Sequence, residues 1–173
     1  VASLVGSEMC IRDSAYGFDK AKEVVAGWVS NLTTEVFSND TNALKAVSSG
    51  QCGVTIVNTY YLARLSDDTK YDNLKLFWAN QDDRGVHVNI SGAGIVKSSK
   101  NKEDAQILLE YLSSEKAQDF YASANKEYPV LDSASVDDSI KGWGDFLEDD
   151  INVSKLGVLQ KEAVFIAQET GYK

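Results

Sequence analysis

Residues 53–65 read GVTIVNTYYLARL, and the interpretation of the whole chain starts from this stretch. An apolar run of the kind found in buried strands stops at Asn58, and two tyrosines follow almost at once. Neighbouring side chains on a strand point to opposite faces, whereas in the first turn of a helix they diverge by only about 100°. We therefore predict a strand that ends near Asn58 and a helix that begins near Thr59, with Tyr60 and Tyr61 directed toward one cleft.

Adjacent tyrosines have two possible roles. In most proteins such a pair buries its rings and satisfies its hydroxyls with hydrogen bonds. Two phenolates that face one point also suit a hard, highly charged cation such as Fe³⁺. A bound metal stabilises the deprotonated oxygen of a group that otherwise ionises near pH ~10. Tyr60 and Tyr61 are therefore candidate metal ligands.

Helical and extended segments alternate along the rest of the chain. Apolar stripes and capping residues predict helices at 19–30, 41–47, 60–65, 102–112 and 115–123, with a last helix capped by Ser154 and ended by Gly171. Extended strands are predicted at 32–37, 54–57, 74–78 and 86–96, and the run at 54–57 is continuously apolar, as in buried strands. This alternation predicts an α/β fold with a mainly parallel sheet flanked by helices.

Composition excludes several classes of function. The 173 residues carry a formal charge of −9, which disfavours binding to nucleic acid or to an anionic membrane surface. No apolar run is long enough to span a bilayer, so we predict no stable membrane insertion. The single histidine forms no catalytic triad with the available serines and cysteines, and no glycine-rich phosphate loop is present. We therefore predict a binding protein rather than an enzyme.

Several further stretches extend the pattern around the tyrosines. They are FSNDT at 37–41, AVSSGQCGV at 46–54, VNTYYL at 57–62, VHVNISGAG at 86–94 and EYPV at 127–130. In this order and spacing, the chain from about residue 15 to residue 173 resembles the periplasmic ferric-iron-binding proteins of ABC transporters. The asparagine–threonine–tyrosine–tyrosine and histidine–valine–asparagine runs are the most specific parts of the likeness.

The resemblance implies a two-lobed, type II periplasmic binding fold, of which this chain is a C-terminal fragment. Residues 15–89 would belong to the second, C-terminal lobe. Residues 90–139 would form part of the first, N-terminal lobe, and residues 140–173 would return to the second lobe as C-terminal helices. The resemblance also implies a periplasmic location, a monomer at full length, and truncation as the reason why no leader is present.

The resemblance gives Tyr60 and Tyr61 the role of phenolate ligands to Fe³⁺, with or without a synergistic anion, and an ABC permease as the receiving partner. The remaining ligands would come from sequence that precedes residue 15, so we expect this chain alone to bind iron weakly. The alternative is a protein of the same fold that binds a polyamine, thiamine or a phosphate-like oxyanion. Such a protein would not need adjacent phenols.

Five neighbours have both a functional and a structural interpretation. The Asn58 amide either orients a ligand or an anion in the cleft, or caps the helix that follows. Asn39 and Asp40 resemble residues of a cleft-facing loop, and helix capping explains them at least as well. Arg64 either stabilises phenolate or lies solvated on the surface. His87 is a possible iron ligand, but we favour a structural hydrogen bond for it because it lies near the predicted lobe crossing.

Residues 1–14, VASLVGSEMCIRDS, do not fit the pattern. They have no periodic apolar face, and they lack the basic start, apolar core and cleavage site of a signal peptide. The run from residue 3 to residue 14 looks like translated sequencing adapter. We therefore predict that this segment is not native, the alternative being an unusual N-terminal arm.

Overall fold

The computed structural model describes residues 16–172. The predicted non-native segment, residues 1–14, lies outside these residues, so its origin stays a prediction. None of the described helices is both long enough and apolar enough to cross a membrane. The α-helices are α1 (Phe18–Ser30), α2 (Asp40–Ser48), α3 (Thr59–Leu65), α4 (Lys102–Leu112), α5 (Glu115–Asn125), α6 (Asp138–Lys141) and α7 (Ser154–Thr170), with a 3-10 turn at Thr69–Tyr71.

Helices α1 and α7 pack against each other and form a hydrophobic core, although they lie far apart in the sequence. Ala21 and Val25, four residues apart on α1, meet Ala163 and Ile166, three residues apart on α7, and all four side chains are buried. Spacings of three and four residues place side chains on one helix face, which is why the two apolar stripes can meet. Burial of a side chain such as Ile166 stabilises the fold by roughly 1.5–3 kcal/mol.

The helix ends agree with the predicted caps in most cases. The Asn39 side chain accepts a hydrogen bond from the Asn42 backbone N–H at 2.9 Å and so caps α2. Ser114 caps α5 in the same way, and Gly171 ends α7 in the left-handed conformation with φ of 76°. The prediction that Ser154 caps the last helix is wrong. Ser154 is the first helical residue, and its backbone N–H donates to the Asn152 side chain at 3.0 Å.

The predicted strands are not paired into ladders within residues 16–172. The pairing found there is one isolated bridge between Val86 and Glu148, which has the predicted parallel direction. Apolar side chains of the extended segments remain exposed, with 82% exposure at Val54 and 85% at Phe77. A strand needs a neighbour for its backbone N–H and C=O groups, and an apolar run in the sequence does not supply one.

The parallel bridge joins the segment after residue 85 to the segment before α7. The Val86 backbone N–H donates to the Leu147 carbonyl at 2.8 Å, and the Asp149 N–H donates to the Val86 carbonyl at 2.9 Å. Gly85 has φ of +92°, and a Cβ atom there would lie 2.5 Å from the carbonyl carbon of Glu148. Glycine is therefore required at this position both by backbone conformation and by the close approach of the two segments.

Candidate metal centre

The two tyrosines lie at a turn from extended backbone into a helix, as predicted. Asn58 has extended dihedral angles, φ −68° and ψ 138°, and α3 begins at the next residue, Thr59. The Tyr61 backbone N–H donates to the Asn58 carbonyl at 3.2 Å. Because this hydrogen bond closes the first helical turn, Asn58 determines the direction in which Tyr60 and Tyr61 leave the extended segment.

The rings of Tyr60 and Tyr61 lie side by side. Their centroids are 4.4 Å apart with an angle of 35° between the planes, and both residues are partly buried. Burial raises the pKa of Tyr60 to about 12, and the hydrogen bond and charge of Tyr61 and the charge of Asp40 add to this rise. The Tyr60 hydroxyl is therefore protonated at neutral pH, and a cation that binds its oxygen must displace the proton.

Arg64 lies over the tyrosine pair from one turn further along α3. Its guanidinium carbon is 5.0 Å from the centroid of the Tyr60 ring and 5.7 Å from that of Tyr61. This charge acts against the other influences on Tyr60 and lowers the pKa of its hydroxyl. Arg64 is exposed as well, so the surface position and the contact with the phenols, which the sequence left as alternatives, occur together.

The Asn58 side chain does not cap α3, so the capping interpretation is wrong. Its backbone N–H donates to the Asp40 carboxylate oxygen Oδ2 at 3.1 Å, and its amide Nδ2 donates to the same oxygen at 3.5 Å. Its amide oxygen accepts a hydrogen bond from Asn89 Nδ2 at 3.4 Å. The residue before the tyrosine turn is thereby held from two sides, by α2 and by the segment that contains Asn89.

Asp40, which the sequence left between a cleft-facing loop and helix capping, lies next to the tyrosine turn. It is the first residue of α2 and only 4% exposed, and its carboxylate lies between the helix and the tyrosine turn. Asn39, the preceding residue, caps α2. A negative charge in the first turn of a helix is favourable in its own right, which is a local explanation for Asp40. The burial of Asp40 and its contact with Asn58, eighteen residues later, have no signature in the local sequence.

His87 and the tyrosine pair have different charged neighbours. Asp149 and Arg84 influence the pKa of His87, whereas Tyr61, Asp40 and Arg64 influence the pKa of Tyr60. Both ring nitrogens of His87 are buried without a hydrogen-bond partner among the described residues, so the predicted structural hydrogen bond is wrong. His87 is buried near the ion pair of Asp149 with Arg84, whose atoms are 3.2 Å apart, but burial near a charge does not place an acceptor or donor within hydrogen-bond distance of the ring. Burial lowers the pKa of His87, although Asp149 opposes this effect.

The described residues contain no group of three or more histidine, cysteine, aspartate or glutamate side chains that could hold a metal ion. The phenolic oxygens of Tyr60 and Tyr61 are a different type of donor, hard and anionic once deprotonated, and they fit a hard trivalent cation. Two oxygens fill only part of the roughly six positions of an octahedral, oxygen-rich site. A metal ion held by this pair would therefore need further donors.

The chain is similar in sequence to one protein family and to several known proteins. The family model described as bacterial extracellular solute-binding protein matches residues 8–147. Iron uptake protein A1 of Synechocystis is 42% identical over 153 residues, which cover 85% of this chain and 42% of that protein. Iron uptake protein A2 of the same organism is 34% identical over 179 residues, which cover 99% of this chain and 51% of that protein. The chain thus spans about half the length of the curated relatives it matches.

Solved structures show the same similarity in three dimensions. The Trichodesmium protein termed IdiA or FutA, in complex with iron and citrate, superposes with a TM-score of 0.91 at 37% identity, covering 97% of this chain and 55% of that chain. The ferric binding protein from Campylobacter jejuni gives 0.92 at 31% identity with the same coverage. These neighbours confirm the predicted fold class, a fragment of a two-lobed type II periplasmic binding protein.

Proposed function

This chain belongs to the bacterial extracellular solute-binding proteins, and from that premise we propose that the complete protein captures ferric iron through the phenolates of Tyr60 and Tyr61. It would do so in the periplasm, as a monomer, and deliver the iron to an ABC permease. The observation that carries the proposal is the pair of phenol rings, 4.4 Å apart at the start of α3.

The chemistry of the pair supports iron over a neutral solute. The partly buried Tyr60 hydroxyl, whose pKa is raised to about 12, becomes an anionic ligand only when a metal displaces its proton. Fe³⁺ has the charge to do this, and each phenolate that binds releases one proton. Iron affinity should therefore fall as the pH falls, because protons and metal compete for the same oxygens.

The names of the similar proteins support the same substrate. Two curated relatives are iron uptake proteins, a third is the major ferric iron-binding protein of Neisseria meningitidis, and the Trichodesmium structure contains iron and citrate. We propose that the coordination positions left open by Tyr60 and Tyr61 are filled in the complete protein by donors outside this chain, with or without an anion. This chain alone would then bind iron weakly.

A ferric titration of the complete protein from the native gene tests the proposal. Addition of ferric citrate to the iron-free protein should produce a visible phenolate-to-iron charge-transfer band that saturates at one iron per protein. Thermal melts with spermidine, thiamine and phosphate serve as the comparison. A protein that remains colourless with iron, yet is stabilised by one of these solutes, would show that the site binds an organic or oxyanion solute instead.

A further inference from the structure

Asp40 joins the start of α2 to the extended segment that precedes α3, and the two helices also pack against each other. Its carboxylate is buried at the start of α2 and accepts the Asn58 backbone N–H at 3.1 Å and the Asn58 amide at 3.5 Å. A buried carboxylate is unfavourable unless hydrogen bonds compensate the loss of water. The Asn58 contacts supply such bonds, and because the backbone N–H is one of them, they fix the main chain as well as a side chain.

The position of Asn58 is transmitted directly to the phenols. Asn58 is the last extended residue before α3, and its carbonyl accepts the Tyr61 backbone N–H at 3.2 Å. On its other side, Asn89 donates to the Asn58 amide oxygen at 3.4 Å. Displacement of Asn58 would therefore rotate the first turn of α3, and with it both tyrosine hydroxyls. Errors of about 1 Å in ligand placement are enough to weaken a preorganised site.

We propose that Asp40 is a positioning residue of the ferric site, which fixes the tyrosine turn through Asn58 and holds a carboxylate near the bound cation. This inference rests on the proposed function of Tyr60 and Tyr61. Groups that hold metal ligands in place typically contribute 10–100-fold to metal affinity. We expect a contribution in that range from Asp40.

The negative charge of Asp40 should favour iron binding, as its position does. A buried carboxylate close to the phenols favours a cation bound at their oxygens. Arg64, over both rings, opposes this binding, but Arg64 is exposed and its charge is screened by solvent. Asp40 is buried, so its charge is screened less.

Three variants of the complete protein separate position from charge. Asp40→Asn keeps an oxygen that can accept from the Asn58 backbone N–H but removes the charge, while Asp40→Ala removes both. Asp67→Asn is the control, since Asp67 is an exposed carboxylate just beyond the end of α3 and loses the same formal charge. Ferric affinity, the energy of the charge-transfer band and the melting temperature of the iron-free protein are measured for each variant.

We expect Asp40→Ala to lower ferric affinity by at least about tenfold and to shift the charge-transfer band. Asp40→Asn should restore the band energy of the parent, since it restores the turn, and recover only part of the affinity. Asp67→Asn should match the parent. If Asp40→Ala does not fold, an Asp40→Asn variant with reduced affinity and the parental band still supports the inference.

Two results would overturn the inference. If both Asp40 variants match Asp67→Asn in affinity and band energy and differ only in melting temperature, then Asp40 is merely structural, while the parental band leaves the proposed function intact. If the parent protein itself develops no band, the proposed function fails and the inference fails with it.

Discussion

Tyr60 holds its proton far more tightly than a tyrosine in water. Its pKa of about 12 results first from burial, then from the neighbouring Tyr61 and the Asp40 carboxylate, with Arg64 acting in the opposite direction. The Tyr60 hydroxyl is therefore protonated at neutral pH. The same property makes the free energy of unfolding depend on pH.

We predict that the iron-free protein loses stability as the pH rises from about 10 to about 12. An unfolded tyrosine ionises near pH ~10, whereas folded Tyr60 keeps its proton to about 12, so the unfolded state binds fewer protons in this window. Urea unfolding of the parent and of Tyr60→Phe at a series of pH values measures the effect. Burial also raises the pKa of Tyr128 and Tyr172, so the difference between parent and variant isolates Tyr60. Parallel curves would contradict the prediction.

At the residue scale, the sequence predicted the turn at the tyrosine pair but not the contact between Asp40 and Asn58. Two adjacent phenols after an apolar run are a local signal, and the turn they predict is present. For Asp40 the sequence left a cleft-facing loop and helix capping as alternatives, because an aspartate in the first turn of a helix is ordinary. Its contact with Asn58, eighteen residues away, is visible only in the folded structure.

At the element scale, helices were predictable and strand pairing was not. The predicted helices at 19–30 and 102–112 correspond to α1 (Phe18–Ser30) and α4 (Lys102–Leu112), because helical hydrogen bonds and apolar stripes are both local. A strand depends on a second segment for every ladder hydrogen bond. The extended segments therefore have the predicted apolar character without forming ladders within residues 16–172.

The packing of α1 on α7 gives the first prediction at this scale. Ile166 is fully buried in their interface, so Ile166→Ala should lower the free energy of unfolding by about 2–5 kcal/mol through lost burial and a new cavity. Val158 lies on the same helix but is 79% exposed, so Val158→Ala should change stability by less than about 0.5 kcal/mol. Denaturant unfolding of both variants measures the contrast, and equal effects would show that α7 does not pack through Ile166.

The second prediction at the element scale concerns Gly85, at the close approach beside the parallel bridge. Gly85→Ala places a Cβ atom 2.5 Å from the Glu148 carbonyl carbon at a residue with φ of +92°, so it should destabilise the protein by roughly 1–3 kcal/mol. Gly53→Ala is the control, since a Cβ atom at Gly53 meets no atom within 4 Å. Hydrogen exchange at the Val86 and Asp149 amides should accelerate in the first variant only. Unchanged exchange there would contradict the described bridge.

At the scale of the whole molecule, the chain is similar in sequence to its relatives but spans only about half of their length. It covers 55% of the similar Trichodesmium chain, and apolar side chains such as Val54 and Phe77 are exposed in its extended segments. The sequence predicted this fold class through motifs and their order, whereas composition and charge alone only excluded other classes. Measurements of iron binding therefore belong on the complete protein rather than on this chain alone.

The measurement that tests the central claim most directly is a ferric citrate titration of the complete protein, with Tyr60→Phe and Tyr61→Phe alongside the parent. Phenylalanine keeps the ring and its packing but removes the oxygen, so each variant should melt near the parental temperature and lose most of its iron affinity. The charge-transfer band should weaken in each variant and disappear in the double variant. If both single variants keep the colour and the affinity of the parent, tyrosine does not ligate iron in this protein.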